Sequence, residues 1–123
     1  MTNPSGTPTI VLAGREWAVP RLAPRQNRIV VPALLELIPK IVAARQEAVR
    51  TGDAGSIAQL ARYLDTASYD RLATIVFTAL TRAAPDLGRA EFDDMPIDTL
   101  ELVASVRIIA GQAGLLKHAE ETE

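Results

Sequence analysis

The sequence predicts a mainly α-helical domain, a small bundle of four to five helices with an N-terminal β-hairpin. Apolar residues recur every three or four positions in several segments, which is the period of an amphipathic helix. Aromatic residues make up 4% of the 123 residues and apolar residues 48%, so the core must be aliphatic. This length fits one domain, which we assign to residues 9–116, with residues 1–8 and 117–123 as flexible tails.

The hairpin is predicted from two short runs with a period of two. Residues 9–13 and 16–19 are expected to form its strands, with Gly14 and Arg15 in the turn and Pro20 after the second strand. Four large apolar residues would share one face: Ile10, Leu12, Trp17 and Val19. An isolated hairpin is marginal in water, so helices or another sheet edge must cover this face.

Residues 24–50 predict either one long, bent helix or two short ones. At 100° per residue, one side collects seven apolar residues: Val31, Leu34, Leu35, Ile38, Ile41, Val42 and Val49. Pro32 and Pro39 share the opposite, polar side, where prolines bend a helix around a core. Arg45 falls near the middle of the apolar side, as a snorkelling residue or as part of an interface.

The second half of the chain predicts the remaining helices. Gly52 ends the long helix, and a short helix follows from Ser56 with Ile57, Leu60, Ala61 and Leu64 on its apolar face. Residues 69–83 predict a well-buried helix, and residues 88–94 one helical turn. The last helix begins at Asp98, which has capping-box spacing to Glu101. Its apolar stripe contains Leu102, Val103, Val106, Ile109, Ala110 and Ala113.

The residues that carry enzyme chemistry are sparse. The chain has no cysteine, and its single histidine, His118, lies in the charged C-terminal tail. The spacing of Asp93, Asp94 and Asp98 does not match a calcium loop, and we interpret them as residues that flank helix starts. No glycine-rich phosphate motif is present. We therefore predict a protein that is not an enzyme and has no catalytic residue, metal or cofactor.

The sequence predicts a soluble cytoplasmic protein. No apolar run approaches the roughly 18 residues of a membrane helix, and the polar N-terminus does not predict a signal peptide. Residues 1–50 carry seven Lys and Arg against three Glu, whereas residues 51–123 carry six basic and twelve acidic residues. The cluster of Arg15, Arg21, Arg25 and Arg28 leaves nucleic-acid binding as an alternative. The sequence pI of 5.4 and the lack of a recognition-helix pattern disfavour it.

Three segments give the chain a family resemblance. They are residues 10–19, a hairpin with a Gly-basic turn; residues 28–37, which open the long helix; and residues 69–80, followed by Pro85-Asp-Leu, Met95-Pro and a final helix that closes over residues 105–115. In this order the chain resembles the tail assembly chaperones of long-tailed bacteriophages, prophages and gene transfer agents. The resemblance implies a helical protein that coats the tape measure protein, recruits tail tube protein and leaves before the particle is complete.

A chaperone of this kind needs an apolar face for a helical client. Leu102, Val106 and Ile109 are candidates, and so are Ile41, Val42 and Val49 with Arg45 beside them, although either stripe could instead be core. We expect a homo-oligomer, because the hairpin has an open edge and Trp17 needs a cover. Two other functions stay open: a structural neck or tail component of the virion, such as a connector or terminator, and a small regulator that binds nucleic acid through residues 15–28.

Overall fold

The computed structural model describes residues 6–51 and 65–115. It contains strands β1 (Thr9–Leu12) and β2 (Arg15–Ala18), followed by helices α1 (Pro24–Thr51), α2 (Thr66–Leu80), α3 (Arg89–Asp93) and α4 (Thr99–Gln112). The prediction of a mainly helical fold with an N-terminal hairpin is confirmed. Three predictions fall outside the described residues. They are the short helix that begins at Ser56, the N-terminal tail apart from residues 6–8, and the C-terminal tail with His118.

The hairpin turns one residue earlier than the sequence predicted. Its two turn residues are Ala13 and Gly14, and both have left-handed backbones with φ values of 55° and 74°. A two-residue turn with both φ values positive matches the right-handed twist of the strands, and glycine adopts this conformation without strain. The strands pair antiparallel, with Ile10 opposite Trp17 and Leu12 opposite Arg15. The predicted apolar face is confirmed, because Ile10, Leu12 and Val19 are buried and Trp17 packs partly against the core.

Helix α1 is continuous through both of its prolines, so the alternative of two short helices is excluded. Pro32 and Pro39 are exposed, as predicted for the polar side. The buried face, however, is rotated from the predicted one. Its buried apolar residues are Val30, Leu34, Leu37 and Ala44, at spacings of three, four and seven. Of the seven residues predicted for the apolar face, three are exposed: Leu35, Val42 and Val49. Val30, Leu34 and Leu37 belong to the same apolar cluster as the buried residues of α2, which contacts α1.

Helix α2 forms the centre of the molecule and contacts both α1 and α4. It begins earlier than predicted, because Asp65 caps it by accepting a hydrogen bond from the Ser68 N–H at 2.8 Å. That bond lowers the pKa of Asp65 below its usual value. Polar contacts also fix α2 on α1. Lys40 Nζ donates to Ser68 Oγ at 2.8 Å, and Arg71 pairs with Glu36 at 3.0 Å.

Helix α4 closes the core beneath the hairpin. The predicted capping interaction is present, because Glu101 Oε1 accepts from the Asp98 N–H at 3.0 Å. At the other end, the Leu115 N–H donates to Ala110 O and Gly114 has a φ of 92°, which is a Schellman termination. Gln112 Nε2 donates to Val19 O at 2.8 Å. The last helix is therefore tied to the hairpin at its C-terminal end.

Candidate protein-binding surface

An apolar stripe runs along the exposed side of α1. We define the α1 stripe as five residues: Val31, Leu35, Ile38, Val42 and Val49. Leu35 is 60% exposed, Val42 44% and Val49 84%, while Val31 and Ile38 are half-buried. The three exposed positions are seven residues apart. Val31 precedes Leu35 by four residues, Ile38 lies between Leu35 and Val42, and no stripe residue lies between Val42 and Val49. From Val31 to Val42 this is the alternation of three and four residues with which one helix packs against another.

The stripe lies beside the buried face of α1, and at 100° per residue Arg45 falls between the two. Ile38 and Ile41 both pack against the core from partly buried positions. Apolar side chains therefore cover a broad sector of the helix, and only one part of that sector is needed for the core. Exposed apolar patches commonly mark interaction sites, so this stripe is a candidate for one.

The structure separates the predicted binding residues on α1 into two groups. Val42 and Val49 lie on the stripe and are exposed, whereas Ile41 contributes to the core from a partly buried position. The side chain of Arg45 lies outside the described residues. Sequence reasoning placed Leu35 in the same apolar set but did not select it for binding. Its seven-residue spacing to Val42 and Val49 is the signal that could have identified it.

The second predicted stripe is part of the core. Leu102 is 2% exposed, Val106 8% and Ile109 0%, and all three belong to the central apolar cluster. In this conformation they offer no surface to a partner. They are instead the residues with which α4 packs against α2 and the hairpin.

Trp17 occupies the inner face of the hairpin at a half-buried position. The Arg15 guanidinium lies over its ring, 4.0 Å from the centroid, in a cation–π contact. The indole Nε1 is buried and has no hydrogen-bond partner in the described part of the chain. Trp17 is therefore half-covered by its own domain.

The arginines at the start of α1 form a positively charged corner. Arg21, Arg25 and Arg28 are exposed. A cleft of about 350 Å³ lies beside them, and both Arg25 and Arg82 line it. Arg82 Nε donates to Arg21 O at 2.9 Å, so this side chain also has a structural role in joining α2 to the segment before α1.

The acidic residues near α3 pair with a neighbouring arginine. Arg89 Nε donates to Asp93 at 2.9 Å, and the same guanidinium contacts Asp70 and Thr74. Over residues 6–51 and 65–115, no group of three His, Cys, Asp or Glu side chains is placed to hold a metal ion.

Within the same ranges, no helix has the length and apolar character needed to cross a bilayer.

No family model, no curated protein and no solved structure matches the chain.

Proposed function

We propose that this protein works by binding other proteins, and that the α1 stripe is the surface it uses. The observation that supports this is the seven-residue recurrence of exposed Leu35, Val42 and Val49 on one continuous helix. Helical partners dock an apolar face against such a row, with contacts at every third or fourth residue. The partner class that fits best is therefore a long amphipathic helix.

Within that class, we propose a tail assembly chaperone whose client is a tape measure protein. The support is the sequence resemblance together with the form of the stripe. As the resemblance implies, the client is a very long helical protein with apolar stripes that must be shielded before tail assembly. An exposed stripe on a 28-residue helix gives a cover for several turns of such a client. Recruitment of tail tube protein is the second activity that the resemblance implies.

The test is co-expression with the tape measure protein encoded in the same genome. The wild-type chain is expected to raise the soluble fraction of the client and to co-purify with it. Val42→Glu should abolish both effects, because a carboxylate on the stripe would have to be desolvated in the complex. The matched control is Ile29→Glu, since Ile29 is 48% exposed, close to the 44% of Val42, and lies on another side of the same helix.

Two results would overturn the proposal. Ile29→Glu and Val42→Glu could lose the client equally, which would show that the stripe is not the binding surface. Alternatively, the wild-type chain could leave the tape measure protein insoluble, which would exclude the chaperone role. Gene order gives an independent check, because a chaperone gene is expected between the tail tube gene and the tape measure gene.

A further inference from the structure

A groove separates the free edge of β1 from α4, on a different part of the molecule from the α1 stripe. Its volume is about 370 Å³, and it is lined by Thr9, Ile10, Val11, Leu100, Glu101, Ala104, Ser105 and Ile108. Val11 is 36% exposed and Leu100 58%. The groove is therefore open to solvent where Val11 and Leu100 line it, whereas Thr9, Ile10 and Ser105 are buried in its wall, and the walls are mostly apolar.

The backbone of β1 turns unpaired groups toward this groove. Leu12 and Arg15 flank the two-residue turn, so they form a hydrogen-bonded pair, and Ile10 with Trp17 forms the next one. Hydrogen-bonded pairs alternate with non-hydrogen-bonded pairs along antiparallel strands, and the bond from the Val19 N–H to Pro8 O at 2.9 Å belongs to the next hydrogen-bonded pair. The N–H and C=O groups of Thr9 and Val11 therefore point away from β2. Among the described residues, none forms a hydrogen bond with these groups on that side.

A buried polar atom lies at the same edge. Thr9 is 5% exposed, and its Oγ1 has no hydrogen-bond partner within the described residues. A buried hydroxyl without a partner is costly, and such atoms are uncommon in folded proteins. Thr9 therefore has both a side-chain hydroxyl and backbone groups that lack hydrogen-bond partners at this edge of β1.

Charge in the groove is concentrated at one end. Glu101 is the only charged residue among those that line it. Its carboxylate accepts from the Ala13 N–H at 2.9 Å and the Gly14 N–H at 3.4 Å, so it is fixed beside the turn. Glu16 is exposed and pairs across the hairpin with Val11, which adds a second negative charge near this end.

We propose that the groove binds an extended peptide segment of a partner protein as an added strand antiparallel to β1. The segment carries apolar side chains at alternate positions and a lysine or arginine at its N-terminal end. Backbone groups of the segment would pair with Thr9 and Val11, and its apolar side chains would face Leu100, Ala104 and Ile108. Because β1 runs toward the turn, an antiparallel strand places its N-terminal end beside Glu101. Addition of a strand to an open sheet edge is an established mode of peptide recognition.

The probe is the acetylated, amidated pentapeptide Lys-Val-Thr-Val-Thr, titrated into the whole chain and followed by amide NMR. Saturable shifts are expected at Thr9, Val11 and Ala104. N-methylation of both peptide threonines removes two backbone donors and should weaken binding by about tenfold or more. A peptide with glutamate in place of lysine should also bind more weakly, because Glu101 and Glu16 would repel it.

Variants make the test independent of the α1 stripe. Ala104→Arg fills the groove from an exposed helical position and should abolish peptide binding, whereas Ala90→Arg, at an exposed position in α3, should not. Val42→Glu should leave peptide binding unchanged. The proposal is overturned if no saturable shift appears at millimolar peptide, or if the N-methylated peptide binds equally well. It is also overturned if Thr9 and Val11 shift with protein concentration alone, because a second copy would then occupy the edge.

Discussion

Glu101 joins the last helix to the hairpin through a single side chain. Its carboxylate accepts hydrogen bonds from Ala13, Gly14 and Asp98, so one side chain caps α4 and holds the hairpin turn. These bonds, led by the one from Ala13, lower the pKa of Glu101 below its ordinary value of 4.5. The hairpin is therefore anchored by a group that acid can neutralise.

A pH dependence of stability follows from this anchor. The stabilisation is fully present above pH 4.5, the ordinary value, and is lost as the pH falls through the lowered pKa of the folded state. We expect Glu101→Gln to be less stable than the wild type at pH 7 and to lose less stability on acidification below pH 4.5. Urea unfolding at several pH values measures both. Parallel curves for the two proteins would show that the anchor has no linkage to folding.

Ala13 is the one strained position among the non-glycine residues described. It is the only such residue with a positive φ, at 55°. A left-handed backbone costs an alanine roughly 1–2 kcal/mol, and asparagine tolerates it better. We expect Ala13→Asn, which creates an Asn-Gly turn, to raise the free energy of unfolding by about 0.5–1 kcal/mol. Thermal unfolding checks this, and a lower stability would mean that the turn needs the Ala13 methyl group for packing.

At the scale of elements, α1 presents two neighbouring leucines with opposite roles. Leu34 is fully buried against the core, whereas Leu35 is 60% exposed on the stripe. We expect Leu34→Ala to cost about 2–5 kcal/mol of stability and Leu35→Ala less than about 1 kcal/mol. The two variants remove the same atoms from adjacent positions, so each is the control for the other. Equal losses in denaturant unfolding would show that the stripe is covered in the free protein.

The same helix shows where sequence reasoning succeeds and where it ends. The spacing of apolar residues identified residues 24–50 as helical and predicted the solvent side of Pro32 and Pro39, but it left open whether the segment forms one helix or two. It could not decide which part of the broad apolar sector faces α2, because Leu34, Leu35 and Ile38 all fit an amphipathic pattern. That choice depends on tertiary packing. The hairpin turn was misplaced for a related reason, since the left-handed conformation of Ala13 has no signal in a pattern that favours glycine.

The candidate site was predicted only in part. Val42 and Val49, which were selected for partner binding, are exposed, whereas Leu102, Val106 and Ile109 are core residues. Both stripes have the same helical period, and periodicity records only that a face is apolar. Neighbouring elements of the fold decide whether that face is buried in the core or is left exposed to a partner protein. The groove beside β1 had no sequence signal, because it is formed by backbone groups and by residues from two distant segments.

At the scale of the whole molecule, self-association stays a prediction. Trp17 is half-buried, so its loss should cost less than the about 3–5 kcal/mol expected for a fully buried large aromatic residue. If Trp17 also lies between subunits, light scattering of Trp17→Ala will show dissociation while circular dichroism still reports a folded chain. A wild-type protein that stays monomeric at high concentration would contradict the expected homo-oligomer.

The proposed function requires that a helical client binds along α1. The most direct measurement is methyl NMR of the leucine and valine side chains, with a soluble helical fragment of the tape measure protein added in steps. We predict saturable shifts of the Leu35, Val42 and Val49 methyl groups, because they lie in the contact, and little change at Leu102 and Val106 in the core. Saturable shifts elsewhere, with the three stripe methyl groups unmoved, would contradict the claim.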